Sequence, residues 1–215
     1  MLWQHEGMSQ PQTYYLEEWH AAAGLPGDAP DRVVSVADGS GNLYVAGPTL
    51  NLNNHYDLLL TKYDDDGEEL WSETFNLVDT SANVIVGQIA LDGTGAPIVT
   101  GAVYNGNTND YDAFTVKHNS SGVYQWHALY NGSGNHYDGG VDLFCDSSNN
   151  IYIAGGTTDD TDLMDFLIIA YESDGDVIWT QTLDGNGLFD AVGHIYQRSS
   201  TQLNVVGVVQ EDFNT

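Results

Sequence analysis

The sequence predicts an all-β fold built from a repeat of about 54 residues. Two sets of anchors carry this prediction. The first is a short apolar segment that ends in glycine, and its four copies end at Gly47, Gly101, Gly155 and Gly207. The second is a segment that starts with aspartate and ends with tryptophan, and its copies are 57–71, 112–126 and 165–179. Because both sets share one period, an internal repeat sets the architecture.

Each repeat resolves into four short strands, named a to d. In the second repeat these strands are 86–92, 97–104, 112–118 and 123–130. The segments between a and b and between c and d are rich in Gly, Asp, Asn and Ser, which are the residues that tight hairpins require. Strand c is apolar on both faces, as expected for a strand that is buried on both sides. No segment shows a sustained helical period.

Four short antiparallel strands per repeat, with this period, are typical of a β-propeller blade. A parallel β-helix has a much shorter period, and an immunoglobulin-like sandwich takes about 100 residues per domain. We therefore predict a β-propeller of four-stranded antiparallel blades, with about four repeats in this chain. Residues 1–12 are an N-terminal segment that either stands apart from the repeats or contributes to a terminal blade. Residues 13–215 hold strand d of one blade around Trp19, three full blades, and strands a and b of a further blade.

The stretch 112–158 resembles the SBBP-type β-propeller repeat of bacterial extracellular proteins. It shares the Asp that opens an apolar strand and a turn of the form Asp/Ser-x-Gly, which here is Ser-Ser-Gly at 120–122. Its second half reads Asp-Ser-Ser-Asn-Asn-Ile-Tyr-Ile-Ala-Gly. The resemblance extends over nearly the whole chain from about Tyr14. It implies a secreted or surface-attached propeller, often one module of a larger protein, and no recurring catalytic residues.

The two ends of the chain supply complementary parts of one blade. They meet either within one chain, which gives a four-bladed ring, or between chains. The resemblance favours a larger assembly, formed by a longer parent chain or by a dimer.

The charge balance limits the partners. The chain has 31 Asp and Glu against 4 Lys and Arg, which gives a formal net charge of −27. Such a surface repels nucleic acids and anionic lipids, and no apolar run is long enough to span a bilayer. It favours cations and basic protein surfaces, and halophilic adaptation would produce the same imbalance. The resemblance implies an extracellular or cell-surface location. Residues 1–12 lack the basic and apolar regions of a signal peptide, so we expect the targeting signal to lie outside this chain.

Several acidic segments suggest calcium, because Ca²⁺ is bound by oxygen ligands. Segment 64–69 corresponds to turns with neutral residues in other copies, so we interpret it as a turn. The loops between strands b and c vary in length and sequence, and we expect ligand or metal sites there. We predict a possible Ca²⁺ site at Asp159, Asp160 and Asp162, and no other cofactor.

An enzyme receives little support. A sialidase would need several arginines, and only Arg32 and Arg198 are present. No G-x-S-x-G motif or H-E-x-x-H motif occurs, and we predict no catalytic residue. The leading hypothesis is a non-catalytic module that binds protein or glycan. The alternatives are a structural spacer in a larger surface protein and a polysaccharide-active enzyme with an axial active site.

Four kinds of residue have expected structural roles. We expect Lys62 and Lys117 to pair with nearby acids, and the strand-d tryptophans to pack between adjacent blades. His127, next to one of these tryptophans, should point outward. The single cysteine, Cys145, is predicted to be a buried and unreactive thiol.

Overall fold

The strands of the computed structural model form separate antiparallel sheets, each from consecutive chain segments. The structure describes residues 32–78, 83–133, 136–158, 163–184, 190–199 and 202–209. All of them belong to the unit Arg32–Thr215. The predicted N-terminal segment and the strand around Trp19 lie outside the described residues.

Each sheet is one blade, and its strands are numbered in chain order. Blade 1 contains β1 (Val34–Ala37), β2 (Leu43–Leu50), β3 (Tyr56–Tyr63) and β4 (Glu69–Phe75). Blade 2 contains β5 (Val84–Leu91), β6 (Pro97–Asn105), β7 (Asp110–His118) and β8 (Tyr124–Tyr130). Blade 3 contains β9 (Asp138–Cys145), β10 (Ile151–Thr158), β11 (Met164–Tyr171) and β12 (Val177–Leu183). Blade 4, as described, contains β13 (Asp190–Ser199) and β14 (Gln202–Val209).

Successive blades pack face to face through their first strands and their apolar faces. β1 contacts β5, β5 contacts β9, and β9 contacts β13, so strand a of each blade forms the inner row. One apolar cluster lies between each pair of neighbouring blades, with Leu58 and Phe114 in the first, Ile98 and Leu167 in the second, and Ile168 in the third. This arrangement confirms the prediction of a β-propeller with four-stranded antiparallel blades. The predicted strands a and b near the C terminus are β13 and β14.

Antiparallel succession puts the connections at two opposite ends of the blades. The turns between a and b and between c and d lie at one end, which we call the turn end. The loops between b and c and the connections from one blade to the next lie at the other, which we call the loop end. These two ends differ in chemistry.

The turn end is regular because acidic and amide side chains bond to the backbone of their own turns. Oδ1 of Asp92 accepts hydrogen bonds from the backbone N–H of Thr94 and Ala96, at 2.8 and 3.1 Å. Oδ1 of Asp64 accepts from Asp66 and Glu68 in the same pattern, at 3.0 and 2.9 Å. Segment 64–69 therefore contains a turn, as predicted, and the carboxylate of Asp64 holds its backbone.

The lysines pair with acids at the turn end, as predicted. Nζ of Lys117 lies 2.8 Å from Oδ2 of Asp92, and both side chains are buried. Nζ of Lys62 lies 3.8 Å from Oδ2 of Asp38 and 4.7 Å from the ring centre of Tyr44. Each pair joins strand c to the a–b turn of the same blade.

Two tryptophans pack between blades, as predicted. Nε1 of Trp71 donates a hydrogen bond to the carbonyl oxygen of Ser120, 3.3 Å away in blade 2. Trp126 repeats this contact with blade 3. His127 is exposed, as expected. Cys145 is half-buried, whereas the sequence predicted a buried thiol. Burial still raises the pKa of this thiol to about 12, so it stays protonated near neutral pH.

Candidate functional site

Three tyrosines meet at the loop end between blades 2 and 3. Tyr104 lies near the end of strand b of blade 2, Tyr111 lies near the start of strand c, and Tyr137 precedes strand a of blade 3. The ring centres of Tyr104 and Tyr111 are 5.5 Å apart, and those of Tyr111 and Tyr137 are 5.8 Å apart. Tyr137 is 38% exposed, and the other two are half-buried. We call these residues the tyrosine cluster.

Amide side chains flank the tyrosine cluster in the loop between β6 and β7. The hydroxyl of Tyr104 donates a hydrogen bond to Oδ1 of Asn109 at 2.9 Å. Asn109 has a positive φ of 63°, a backbone conformation that Asn tolerates better than most residues. Oδ1 of Asn105 accepts from the backbone N–H of Asn107 at 3.1 Å and holds the loop. The cluster is thus bordered by an ordered loop with exposed polar groups.

Buried carboxylates lie beside the tyrosine cluster. Asp110, Asp112 and Asp138 are 8%, 2% and 0% exposed. Asp112 accepts a hydrogen bond from Nδ2 of Asn105 at 2.8 Å, and Asp138 accepts one from the backbone N–H of Gly132 at 2.6 Å. One oxygen of each of the three carboxylates meets no hydrogen-bond donor among the described residues.

Burial and repulsion from neighbouring acids disfavour the charged forms of Asp112 and Asp138. Burial raises the pKa of Asp138 above its ordinary value, and the negative charges of Asp112 and Asp110 add to the rise. Hydrogen bonds from Gly132 and Thr157 oppose it without cancelling it. The pKa of Asp112 is also raised, mainly by burial and further by Asp110. The charge of Asp110 thus acts on Asp112, and the charges of both act on Asp138.

The same register position recurs at the other junctions between blades. At the junction of blades 1 and 2 the strand-c aspartate is Asp57, and Asn83 immediately precedes strand a of blade 2. At the junction of blades 3 and 4 the strand-c aspartate is Asp165, and strand a begins with Asp190. Carboxylate oxygens of Asp165, Asp184 and Asp190 lie within 4.8 Å of one another. This group has the geometry of a metal-ligand set.

A different polar group lies among the inner strands. Oδ2 of Asp142 in β9 accepts a hydrogen bond from the backbone N–H of Ile195 at 2.8 Å and pairs with Nδ1 of His194 in blade 4. Nε2 of Gln88 in blade 2 donates to the other oxygen of Asp142 at 3.4 Å. Asp142 therefore links the inner strands of three blades. It has a structural role that explains its burial.

The predicted calcium residues Asp159, Asp160 and Asp162 lie outside the described residues, so that site stays a prediction. The sequence did identify the aspartates that open strand c, but only as markers of the repeat. Reading along the chain did not single out Asp138 and Asp190, because the connections before them differ in length. Their partners come from the preceding blade, and only the packing of blades brings the two groups together.

No helix in the described part of the chain is both long enough and apolar enough to cross a bilayer.

Comparison with known proteins completes the description. No protein-family model matches the chain, and no curated protein matches its sequence. Among solved structures, a fucose lectin from Kordia zhangzhouensis in complex with methyl-fucoside aligns with a TM-score of 0.40 and 14% identity, over 70% of this chain and 100% of the lectin. A protein of unknown function from Bacteroides caccae aligns with a TM-score of 0.35 and 11% identity, over 80% of this chain and 69% of that protein.

Proposed function

We propose that this chain is a non-catalytic carbohydrate-binding propeller module, and that the tyrosine cluster is its binding site. The observation that carries the proposal is the meeting of Tyr104, Tyr111 and Tyr137 at the loop end, with ring centres less than 6 Å apart along the row. Aromatic rings offer flat apolar faces together with a hydroxyl, which suits the mixed apolar and polar surface of a sugar. The neighbouring loop adds amide groups from Asn105 and Asn109.

Charge selects among carbohydrates. With a formal net charge of −27, the protein repels sulfated, phosphorylated and carboxylated sugars. Both lysines are paired at the opposite end of the blades. We therefore propose neutral glycans as the ligand class.

The inner strands do not present, among the described residues, the pair of accessible carboxylates that a polysaccharide-active enzyme would need. Hydrolysis of a glycosidic bond requires two carboxylates on either side of the scissile bond. Asp142 lies among the inner strands and is engaged by Gln88, His194 and Ile195. Asp138 and Asp190 also belong to inner strands, but their side chains are fully buried and offer no surface to a polysaccharide. We favour binding over catalysis for this reason, and the resemblance to bacterial extracellular repeats supports a secreted or surface-attached location.

The proposal is tested by screening the purified chain against immobilised neutral oligosaccharides and then measuring the affinity for the best binder. The substitutions Tyr111→Ala and Tyr137→Ala should each weaken binding by about tenfold, because each removes one stacking face. Tyr196→Ala is the matched control. Tyr196 is similarly exposed, at 41%, but belongs to blade 4.

Two results would contradict the assignment of the binding site, and a third would contradict the absence of catalysis. One is an absence of binding to every neutral oligosaccharide in the screen. The other is a bound glycan whose affinity the tyrosine-cluster variants leave unchanged. Release of new sugar ends from a polysaccharide would show an enzyme and overturn the non-catalytic assignment.

A further inference from the structure

We propose that hard divalent cations, with Ca²⁺ as the preferred ion, bind at the loop end of two interblade junctions. The first site is formed by Asp112 and Asp138, with Asp110, between blades 2 and 3. The second is formed by Asp165, Asp184 and Asp190, between blades 3 and 4. Both sites combine an aspartate near the start of strand c with the aspartate that begins strand a of the next blade. This inference concerns cations alone and does not depend on glycan binding.

The geometry comes from the second junction. Oxygens of its three carboxylates lie within 4.8 Å of one another. Two ligands that are each 2.3–2.6 Å from one Ca²⁺ ion are separated by at most about 5 Å, so one ion can contact all three groups. Asp190 is fully buried, Asp165 is half-buried and Asp184 is exposed. The group therefore has one side open to solvent, from which an ion and its water ligands can enter.

Independent support comes from the first junction. There the equivalent residues, Asp112 and Asp138, are at least nine-tenths buried, and Asp110 next to them is buried to a similar degree. Each has an oxygen without a hydrogen-bond donor among the described residues. A buried carboxylate without a partner is strongly unfavourable, and here the negative charges of Asp110 and Asp112 also act on Asp138. A cation supplies both the missing ligand contacts and the missing positive charge.

Neither lysine of the chain supplies positive charge to the carboxylates of the first junction. Lys62 and Lys117 are held at the turn end by Asp38 and Asp92. The junction groups contain oxygen ligands but no sulfur or imidazole, which favours Ca²⁺ or Mg²⁺ over zinc. Irregular groups of carboxylates suit Ca²⁺ better, because Mg²⁺ demands near-octahedral geometry.

At the junction of blades 1 and 2, amide side chains provide the hydrogen bonds, and no group of acids among the described residues needs a cation. The residue before strand a is the amide Asn83, whose Oδ1 accepts from the backbone N–H of Tyr56 at 3.2 Å. Asp57 accepts from Nδ2 of Asn51 at 3.1 Å. The described part of the junction thus holds a single strand-c carboxylate, that of Asp57, and a neutral amide donates a hydrogen bond to it. This junction is therefore an internal control for the other two.

The test is calorimetric titration of the chelator-treated chain with CaCl₂ in the absence of any glycan, with Tb³⁺ luminescence as a second readout. Tyr111 and Tyr137 lie beside the first site, so their excitation should sensitise bound Tb³⁺ there. We expect two Ca²⁺ ions per chain. Asp112→Asn with Asp138→Asn should remove one, Asp165→Asn with Asp190→Asn should remove the other, and Asp57→Asn should leave both.

Circular dichroism and the unfolding midpoint in chelator establish that each variant is folded. The first pair of substitutions should abolish the tyrosine-sensitised Tb³⁺ signal. The proposal is overturned if the folded chain takes up no Ca²⁺, or if both paired variants bind as many ions as the unsubstituted chain. It is also overturned if only a variant of Asp159, Asp160 and Asp162 loses the ions. Glycan binding is measured separately, so failure of either proposal leaves the other intact.

Discussion

Nε1 of Trp126 donates a hydrogen bond to the carbonyl oxygen of Ser173, 3.1 Å away in the next blade. Gly175 lies two residues further along the same turn, directly under the indole, where an added Cβ would be 2.7 Å from Cδ2 of the ring. The same turn carbonyl also accepts a hydrogen bond from Nζ of Lys117 at 3.0 Å. One turn of blade 3 thus receives two side chains from blade 2. This joint explains why the repeat keeps both a turn glycine and a strand-d tryptophan.

The joint predicts a large difference between equivalent glycines. Gly122 and Gly67 both have φ of +85°, so alanine at either position should be strained by about 1 kcal/mol. At Gly122 the new Cβ would also lie 2.8 Å from Trp71, whereas at Gly67 it meets nothing within 4 Å among the described residues. We expect Gly122→Ala to reduce the free energy of unfolding by about 1–3 kcal/mol more than Gly67→Ala in urea denaturation. Equal losses in the free energy of unfolding would show that Trp71 moves aside without destabilising the fold.

The comparison of sequence and structure depends on where each signal lies. The strands, the turns and the tryptophan contacts could be predicted because their signals lie in short contiguous segments of each repeat. The turn 119–123, which precedes Trp126, is an example. Differences between repeats at equivalent positions were also informative. Ser120 is neutral where the preceding repeat has Asp65, which indicated a turn rather than a metal-binding loop.

The candidate sites could not be predicted in the same way. The tyrosine cluster joins Tyr111 to Tyr137 across two blades, and the junction carboxylates join Asp165 to Asp190. These residues belong to loops of unequal length, so the repeat gives no fixed spacing for them. Their proximity follows from the angle between neighbouring blades, which periodicity along the chain does not encode.

A second prediction concerns the buried ion pair at the turn end. Burial works against ionisation of Asp92, but hydrogen bonds from Lys117, Thr94 and the backbone outweigh it and hold the pKa of Asp92 below its ordinary value. Lys117→Met would leave this buried carboxylate without its cation. We expect a loss of about 3 kcal/mol in the free energy of unfolding, measured by urea denaturation at pH 7.

Two further variants check this interpretation. Lys117→Met combined with Asp92→Asn should recover part of the loss, since no buried charge is then unpaired. Lys62→Met should have a smaller effect than Lys117→Met, because Lys62 lies 3.8 Å from Asp38 and both side chains are more accessible to water. Equal losses for the two lysines would contradict a role for burial.

A third prediction concerns salt. With 31 acidic and 4 basic residues, the folded chain carries dense negative charge that favours expansion. Added NaCl screens this repulsion, because the Debye length falls from about 30 Å at 0.01 M to about 3 Å at 1 M. We expect the melting temperature to rise across this range in the presence of a chelator, which removes divalent cations from the comparison. A melting temperature that stays constant would mean that the acidic groups are paired or too far apart to repel.

The last prediction concerns His118, which is 2% exposed in the interface between blades 1 and 2. Its ring packs edge-on against Phe75 and Tyr124, with centres 5.9 and 6.0 Å away. Burial lowers the pKa of His118 from 6.5 to about 4. Between these two values the unfolded chain binds a proton that the folded chain does not, so the free energy of unfolding falls as the pH falls. The contribution is on the order of 1–2 kcal/mol between pH 6.5 and pH 5.

The chain itself suggests the variant that isolates this effect. Tyr63 and Tyr171 occupy the equivalent position at the end of strand c in blades 1 and 3, so His118→Tyr keeps an aromatic ring without a group that titrates near pH 6. We expect the difference in free energy of unfolding between this variant and the unsubstituted chain to grow in favour of the variant as the pH is lowered from 7 to 5. Carboxylates contribute equally to both proteins and cancel in the difference. A difference that does not change with pH would show that His118 is protonated equally in the folded and unfolded chains.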